Sequence, residues 1–264
     1  MRAIAAVALC AATLTTAHAE PWYRGKHGHN RVVHVTVTAT AGLLYLSSET
    51  FLKSSLAAET CRWCEPPSFD RSVRNSLVWT DRSKANTYSN LTGYVAAPLF
   101  GIGLTALGSL SGDDPGWGQL IDDTMPIFET VALSQVFTQI VKFSAGRQRP
   151  FVHFAAMPQP HDKDDNLSFF SGHSALAFGI ATSAGMVAHW RHAKAEPVIW
   201  AVGMSVAAST AYLRIAADKH YLSDVLVGSA VGVASGLTIP LLMRRDASVS
   251  VVPAPGGVAL AGAF

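Results

Sequence analysis

The chain has 264 residues, of which 49% are hydrophobic and 14% are charged, and its formal net charge is +2 at pH 7. Soluble domains usually contain about 25% charged residues, so this composition is unusually apolar. The near-neutral balance leaves no large excess of positive charge, and we expect no nucleic-acid partner.

The N-terminus has the pattern of a secretory signal peptide. Arg2 supplies a positive charge, residues 3–14 form an apolar run, and residues 17–19 read Ala-His-Ala, with small residues on either side of a histidine. We predict a signal peptide over 1–19 that is cleaved after Ala19, with an uncleaved membrane anchor as the alternative.

Cys61 and Cys64 lie close together in the segment CRWC. In an exported chain this spacing predicts a local disulfide. A redox-active pair and half of a zinc site are the alternatives, although the sequence shows no second pair of ligands.

Six apolar segments predict an all-α bundle of about six core helices in one domain, 20–246. Four of them have no charged residue across 17 to 20 positions, close to the roughly 20 residues that span a bilayer. We therefore predict a membrane-spanning bundle, with a soluble periplasmic bundle as the alternative. The six segments are 32–48, 91–110, 125–142, 174–190, 197–213 and 225–243.

The segment 125–142 has polar residues at steps of three and four, which mark one face of a helix. The stripe lacks paired acidic and basic residues, so we expect it to face the interior of the bundle rather than water. It consists of Ser134, Gln135, Thr138, Gln139 and Lys142.

The C-terminal tail, 247–264, alternates serine and valine between Ser248 and Val251 and contains Gly256 and Gly257. Alternation followed by glycines is typical of a short β-hairpin, which we predict here.

The segment LRIAADKHYLSD contains Arg214, His220 and Asp224. His220 and Asp224 are four residues apart, so on a helix they would lie one turn apart on one face. A carboxylate there accepts the proton of one imidazole nitrogen and leaves the other as a nucleophile or base. The planar guanidinium of Arg214 suits phosphate oxygens.

Two further segments supply candidate residues. KFSAGRQRP contains the cations Lys142 and Arg149, and SGHS contains Ser171, Gly172 and His173, with a turn whose amides could face an anion. Three cations, two histidines and one orienting carboxylate suit phosphoryl transfer through a histidine, with no metal and no cofactor.

These segments resemble the three motifs of the type-2 phosphatidic acid phosphatase superfamily, which includes bacterial acid phosphatases and vanadium haloperoxidases. The first motif, a lysine six residues before Arg-Pro, corresponds to Lys142 and Arg149-Pro150. The second is Pro-Ser-Gly-His, and here Phe170 replaces the proline. The third is Ser-Arg, five residues, His, three residues, Asp, and here Leu213 replaces the serine. Every ionisable group of the motifs is present.

The resemblance implies a phosphatase in which His220 attacks phosphorus and becomes a phosphohistidine. Asp224 would orient His220, and His173 would protonate the leaving group and then activate water. The phosphate oxygens would be bound by Lys142, Arg149, Arg214 and the amides near Ser171 and Gly172.

The predicted substrate is a phosphomonoester or diphosphate, most naturally of a lipid. A soluble periplasmic acid phosphatase, a vanadate-dependent haloperoxidase and a phosphotransferase are the alternatives. The sequence leaves the substrate and the oligomeric state open.

The loop 151–170 joins the first two motifs, so we expect it to border the site. We interpret its charged run, 162–166, as a solvated surface, with a substrate-selecting role as the alternative.

Basic residues suggest how the bundle is oriented in a membrane. Arg191, Lys194 and Arg244 follow apolar segments at the end opposite the motifs, which predicts a cytoplasmic location there and an inner-membrane protein with its site in the periplasm. The acidic loop 113–123, on the same predicted side, disagrees, and a cleaved signal peptide conflicts with an even number of spans.

Overall fold

The computed structural model describes Gly25, 29–111, 115–156, 162–245, 249–254 and 257–262. The predicted signal peptide lies outside the described residues. The elements in chain order are α1 (Arg31–Thr50), α2 (Lys53–Leu56), α3 (Ser68–Leu77), α4 (Arg82–Ser111), α5 (Trp117–Ala145), α6 (Pro150–His153), α7 (Gly172–Trp190), α8 (Glu196–Ala216), α9 (Leu222–Arg245), β1 (Val249–Ala254) and β2 (Gly257–Gly262).

The predicted helical bundle is confirmed, because each of the six apolar segments lies in one of the long helices α1, α4, α5, α7, α8 and α9. The tail forms the predicted hairpin, in which β1 and β2 pair antiparallel with Val249 opposite Gly262. The helix α4 contains two stretches of π-helix, Thr92–Ala96 and Leu99–Gly103.

Local sequence signals explain where several helices begin and end. The side chain of Asn30 accepts hydrogen bonds from the amides of Val32 and Val33 and so caps α1. The helix α5 ends at Gly146, which has a φ of 54° and donates its amide hydrogen to the carbonyl of Lys142. Glycine is favoured there because the left-handed conformation costs it no steric strain.

The helix α7 lies at the centre of the bundle and packs against α5, α8 and α9. Its contact with α9 depends on small residues. A Cβ atom on Gly228 would lie 2.4 Å from the carbonyl oxygen of Ser171, and one on Gly232 would lie 2.5 Å from that of Ala175. Because only glycine permits this approach, the start of α7 lies directly against the first turns of α9.

Three helices, α4, α8 and α9, are long and apolar enough to cross a membrane, judged by length and composition. They expose large apolar side chains, among them Leu99, Val198 and Leu226. The fourth uncharged segment, 174–190, lies in α7, where most side chains are buried by the other helices. The outer surface that these three helices form is therefore apolar, as a protein interior is.

Candidate active site

The three motif segments meet at one end of the bundle, where α5 ends and α7 and α9 begin. They surround a cavity of about 330 Å³. The sequence-predicted residues that line it are Lys142, Arg149, Gly172, His173, Arg214 and His220. Three residues of the polar stripe on α5, Gln135, Thr138 and Gln139, line it as well, which confirms that the stripe faces the interior.

His220 is buried, with 1% of its surface exposed. Its Nε2 lies 3.4 Å from a guanidinium nitrogen of Arg149, and its Nδ1 lies 3.6 Å from a carboxylate oxygen of Asp224. Arginine only donates hydrogen bonds, so Nε2 presents its lone pair to the cavity and Nδ1 holds the proton on the side of Asp224.

Burial lowers the pKa of His220 well below its ordinary value, and the nearby cations Arg149, Arg214 and Lys142 lower it further. This imidazole is therefore neutral. A neutral ring with its lone pair directed towards cations is suited to attack a phosphorus atom held by those cations.

The assumption that His220 and Asp224 share a helix is wrong. The helix α9 begins at Leu222, so His220 lies in the preceding loop and Asp224 in the first turn. Residues of other helices hold this loop through Asp218, which has a φ of 60°. Its carboxylate accepts two hydrogen bonds of 2.7 Å from Arg74 and forms an ion pair of 3.0 Å with Arg82.

Asp224 is fully buried and does not line the cavity. One carboxylate oxygen accepts hydrogen bonds from the hydroxyl of Ser168 at 2.6 Å and from the amide of Tyr221 at 2.9 Å. The other oxygen is paired with the guanidinium of Arg147. These partners, rather than a short bond to His220, fix the orientation of the carboxylate.

Arg147 is a member of the site that the sequence did not reveal, although it lies inside the first motif segment. It is 1% exposed, and its guanidinium lies between the rings of Trp63, at 3.9 Å, and Tyr221, at 4.3 Å. It donates to Ser223 at 2.7 Å and to Asp70 at 2.7 Å, in addition to Asp224. No spacing rule connects α3, which carries Asp70, to the motifs.

Two of the three predicted cations are held by fixed partners. Arg149 donates to the carbonyl oxygens of Asp164, at 2.8 Å, and Lys219, at 3.1 Å. Arg214 donates to the side chains of Asn86, at 3.0 Å, and Ser89, at 3.1 Å. Both guanidinium groups are thereby directed into the cavity before any anion arrives.

The ammonium of the third cation, Lys142, forms no hydrogen bond or ion pair within the described part of the chain. Its ammonium would lie 3.8 Å from a Cβ atom on Gly172, at the start of α7. Lys142 is therefore available to an anion bound at that helix terminus.

The Ser171-Gly172 turn forms the N-terminus of α7, but the two residues have different roles. The hydroxyl of Ser171 caps the helix by accepting from the amide of Ser174, and its own amide donates to the carbonyl oxygen of Asp224 at 3.0 Å. Ser171 does not line the cavity, whereas Gly172 and His173 do. The amides that could meet an anion here are those of Gly172 and His173, at the positive end of the helix dipole.

His173 contacts α4. Its Nε2 lies 2.9 Å from the side-chain oxygen of Asn90, and its ring lies 4.4 Å from that of Tyr94. A Cβ atom on Gly93, in the first π-helical stretch, would lie 3.2 Å from the ring of His173, so a small residue there leaves room for it. The α4 residues Asn90 and Tyr94 also line the cavity.

Cys61 and Cys64 form the predicted disulfide, with their Cα atoms 5.3 Å apart. The amide of Arg62, inside this loop, donates to the carbonyl of Gly146 at 2.9 Å, and the amide of Gln148 donates to the carbonyl of Trp63 at 3.1 Å. The disulfide loop therefore lies along 146–148 and places Trp63 on Arg147.

The interpretation of 162–166 as a solvated surface holds for Asp162 and Lys163, which are exposed, and is wrong for the rest of the run. Asp165 and Asn166 are buried, and Asp164 lines the cavity and pairs with Lys53, which also pairs with Glu49. The pKa of Asp164 is lowered by the charges of Arg149 and Lys53, which outweigh the effect of burial.

In the described part of the chain, no group of three His, Cys, Asp or Glu side chains could hold a metal ion.

Comparison with known proteins finds a family to which these residues are similar. The family model of the PAP2 superfamily matches 123–247, a range that contains all three motif segments. Residues 123–247 are similar to the PAP2 superfamily. The PAP2 region thus starts within α5 and runs beyond the end of α9, and it contains the nucleophile candidate, the cations and the start of α7.

Two curated relatives match part of this chain. A lipid A 1-phosphatase of Porphyromonas gingivalis is 32% identical over 47% of this chain and 24% of its own length. A putative phosphatidate phosphatase of Drosophila melanogaster is 32% identical over 40% of this chain and 37% of its own length. The chain thus spans 24% of the first relative and 37% of the second.

Two solved structures are also similar. A transmembrane PAP2-type phosphatidylglycerolphosphate phosphatase from Bacillus subtilis aligns with a TM-score of 0.49 at 16% identity, covering 79% of this chain and 94% of its own. Aquifex aeolicus LpxE aligns with a TM-score of 0.44 at 24% identity, covering 66% of this chain and 92% of its own.

We predict that Asp224→Asn costs both activity and stability. An amide offers one oxygen where the carboxylate offers two, so its NH₂ group must face either Arg147 or the donors Ser168 and Tyr221. Leaving a buried donor unpaired costs about 1–3 kcal/mol. Thermal unfolding in detergent, measured beside phosphate release, checks this. A variant as stable as the wild type would contradict the described role of Asp224.

Proposed function

We propose that this protein is a phosphatase that hydrolyses a lipid phosphate through a phosphohistidine intermediate, without a metal ion. The observation that carries the proposal is the cavity in which neutral His220 points its lone pair towards a cluster of cations. Those cations are Lys142, Arg149 and Arg214.

The first step forms one bond and breaks another at phosphorus. The Nε2 of His220 attacks in line, the bond from phosphorus to the ester oxygen breaks, and that oxygen leaves with the lipid. Negative charge on the three equatorial oxygens is stabilised by the cations and by the amides of Gly172 and His173. The ring of His220 becomes positive, and the carboxylate of Asp224 stabilises it from the side of Nδ1.

We assign proton transfer to His173, the second histidine that lines the cavity. It gives a proton to the departing lipid oxygen in the first step. In the second step it takes a proton from the water that attacks the phosphohistidine, which releases inorganic phosphate and restores His220. The cations supply the charge stabilisation that a metal ion provides in other phosphatases, which is why we propose a metal-independent reaction.

A second cavity supports a lipid substrate over a small phosphomonoester. It has a volume of about 290 Å³, lies between α1 and α5, and shares Tyr45, Tyr94 and Gln135 with the catalytic cavity. Tyr94 contacts His173, so this apolar cavity opens on the side where the leaving group departs. Its remaining lining residues are Thr38, Gly42, Leu46, Phe128, Val131, Ala132 and Leu176.

We further propose that the bundle lies in a membrane with the catalytic cavity outside the cytoplasm. Arg191, Lys194 and Arg244 are at the opposite end, as the positive-inside rule favours. The acidic residues near the start of α5 conflict less with this orientation than the sequence suggests. Asp122 and Asp123 are buried and form ion pairs with Arg31 and Arg191, respectively.

The alternatives of the sequence analysis make different predictions. A vanadate-dependent haloperoxidase would oxidise bromide with peroxide and release no phosphate, and a phosphotransferase would pass the phosphoryl group to an added alcohol. A soluble periplasmic phosphatase would remain in solution without detergent. Phosphate release from a panel of lipid phosphates and small esters, by protein purified in detergent, separates these cases.

We predict that His220→Ala forms no phosphoenzyme and does not turn over, because no other cavity residue takes its place as nucleophile. The measurement is acid-quenched labelling with a radiolabelled phosphate ester, followed by treatment with alkali, which phosphohistidine survives. A base-stable label in this variant, or none in the wild type, would refute the covalent mechanism.

We predict that His173→Ala separates substrates by their leaving groups. A lipid alkoxide needs a proton to leave, so its release should slow by about 10²–10⁴-fold. Nitrophenolate leaves without one, so stopped-flow should show a burst of nitrophenol followed by slow turnover, since water attack still needs a base. Equal losses on both substrates without a burst would mean that His173 has no acid–base role.

We predict that Gly42→Leu impairs lipid hydrolysis but not that of nitrophenyl phosphate. A Cβ atom on Gly42 meets no other atom within 4 Å, so leucine enters the apolar cavity. Displacing two methylene groups of a lipid chain costs about 1.6 kcal/mol, or more than tenfold in kcat/KM.

Gly103→Leu is the matched control for this prediction. Gly103 also lies within a helix with nothing within 4 Å of its Cβ position, but it does not line the apolar cavity. It should leave both substrates unaffected. Equal effects of the two variants on the lipid would show that the cavity does not receive the chain.

A further inference from the structure

Asp70 stands outside every motif, yet it is completely buried beside the catalytic carboxylate. It lies on α3 and accepts hydrogen bonds from the amide of Ser223, at 2.9 Å, and from the hydroxyl of Ser223, at 2.6 Å. Ser223 is in the first turn of α9, next to Asp224. A carboxylate at a helix N-terminus is favoured by the helix dipole, so Asp70 caps the helix that carries Asp224.

Asp70 also holds Arg147 by an ion pair of 2.7 Å. Arg147 therefore lies between two carboxylates, Asp70 on one guanidinium nitrogen and Asp224 on another. All three side chains are at most 1% exposed. In such a buried site water does little to screen one charge from another. The net charge of the three side chains therefore matters.

The net charge of these three side chains explains why the site contains two carboxylates. Arg147 alone would neutralise Asp224 and leave little negative charge to stabilise the ring of His220 when it becomes positive. With Asp70 present, the group of Asp70, Arg147 and Asp224 has one negative charge in excess, and Asp224 is the member nearest to Nδ1 of His220.

We infer that Asp70 is a positioning residue for catalysis: by neutralising Arg147 and capping α9, it leaves the charge of Asp224 available to the nucleophile. The inference rests on the proposed function, since it concerns the charge on His220 during phosphorylation. Asp70 and Arg147 touch neither the cavity nor the reacting atoms, and both act through Asp224.

The test compares Asp70→Asn with a matched variant, Asp122→Asn. Asp122 is also buried and paired with an arginine, since two guanidinium nitrogens of Arg31 lie 2.7 and 2.8 Å from its carboxylate, but it lies at the opposite end of the bundle. Both variants should lose thermal stability. Asp70→Asn alone should slow phosphoenzyme formation, by about tenfold or more, with KM changed by less than about twofold.

Two further variants separate charge from shape. Asp70→Glu keeps the charge and should restore most of the phosphorylation rate. In Asp70→Asn/Arg147→Met the charge of Asp224 is again uncompensated, so the double variant should phosphorylate faster than Asp70→Asn. A purely structural role predicts that the double variant is the slower one, because more contacts are lost.

The outcomes distinguish this inference from the proposed function. If the wild type forms no phosphoenzyme, the proposed function fails. If the wild type does form it, and Asp70→Asn forms it as fast as Asp122→Asn, the inference alone is wrong. A double variant no faster than Asp70→Asn would also overturn the charge argument.

Discussion

The position of the Asp224 carboxylate is the constraint on which the site depends. It brings together three parts of the chain: Arg147 after α5, Ser168 before α7, and Tyr221 before α9. The backbone carbonyl of the same residue accepts from the amide of Ser171. Several donors converge on one buried group, so each of these segments is placed relative to the same point. The proposed nucleophile, His220, and the proposed phosphate-binding residues Arg149 and Gly172 lie on those segments, and their geometry follows from this arrangement.

The close contact between α7 and α9 makes that arrangement rigid. Gly228 allows the backbone of α9 to approach the carbonyl of Ser171, and the amide of Ser171 in turn donates to the carbonyl of Asp224. The starts of the two helices are thus joined through backbone atoms. Interactions of this kind fix a distance more tightly than pairs of flexible side chains do, which suits a site that must hold an anion at a defined place.

Much of this could be predicted from the sequence, and the reasons are specific. The six apolar segments revealed the bundle because helices whose sides are buried or face lipid carry few charged residues. The motif spacings brought Lys142, Arg149, His173, Arg214 and His220 to one cavity because they reflect where helices end.

The sequence failed where a role depends on which distant segments meet. Asp70, Arg74 and Asp218 are ordinary charged residues in the sequence, and their importance arises from contacts across more than 70 positions of the chain. The charged run 162–166 was misinterpreted in part for a similar reason, since composition alone does not show that Asp165 and Asn166 are buried or that Asn166 donates to the carbonyl of Ala58.

The disulfide between Cys61 and Cys64 makes one short segment of the chain rigid rather than the fold as a whole. It closes a ring between residues three positions apart, so it removes little conformational freedom from the unfolded chain, where long loops gain most. Its contribution is local: it shapes the short segment that presents the indole of Trp63 to a guanidinium which water cannot reach. A covalent bond more than 80 positions from Arg147 along the chain thereby stiffens the support of His220, the proposed nucleophile.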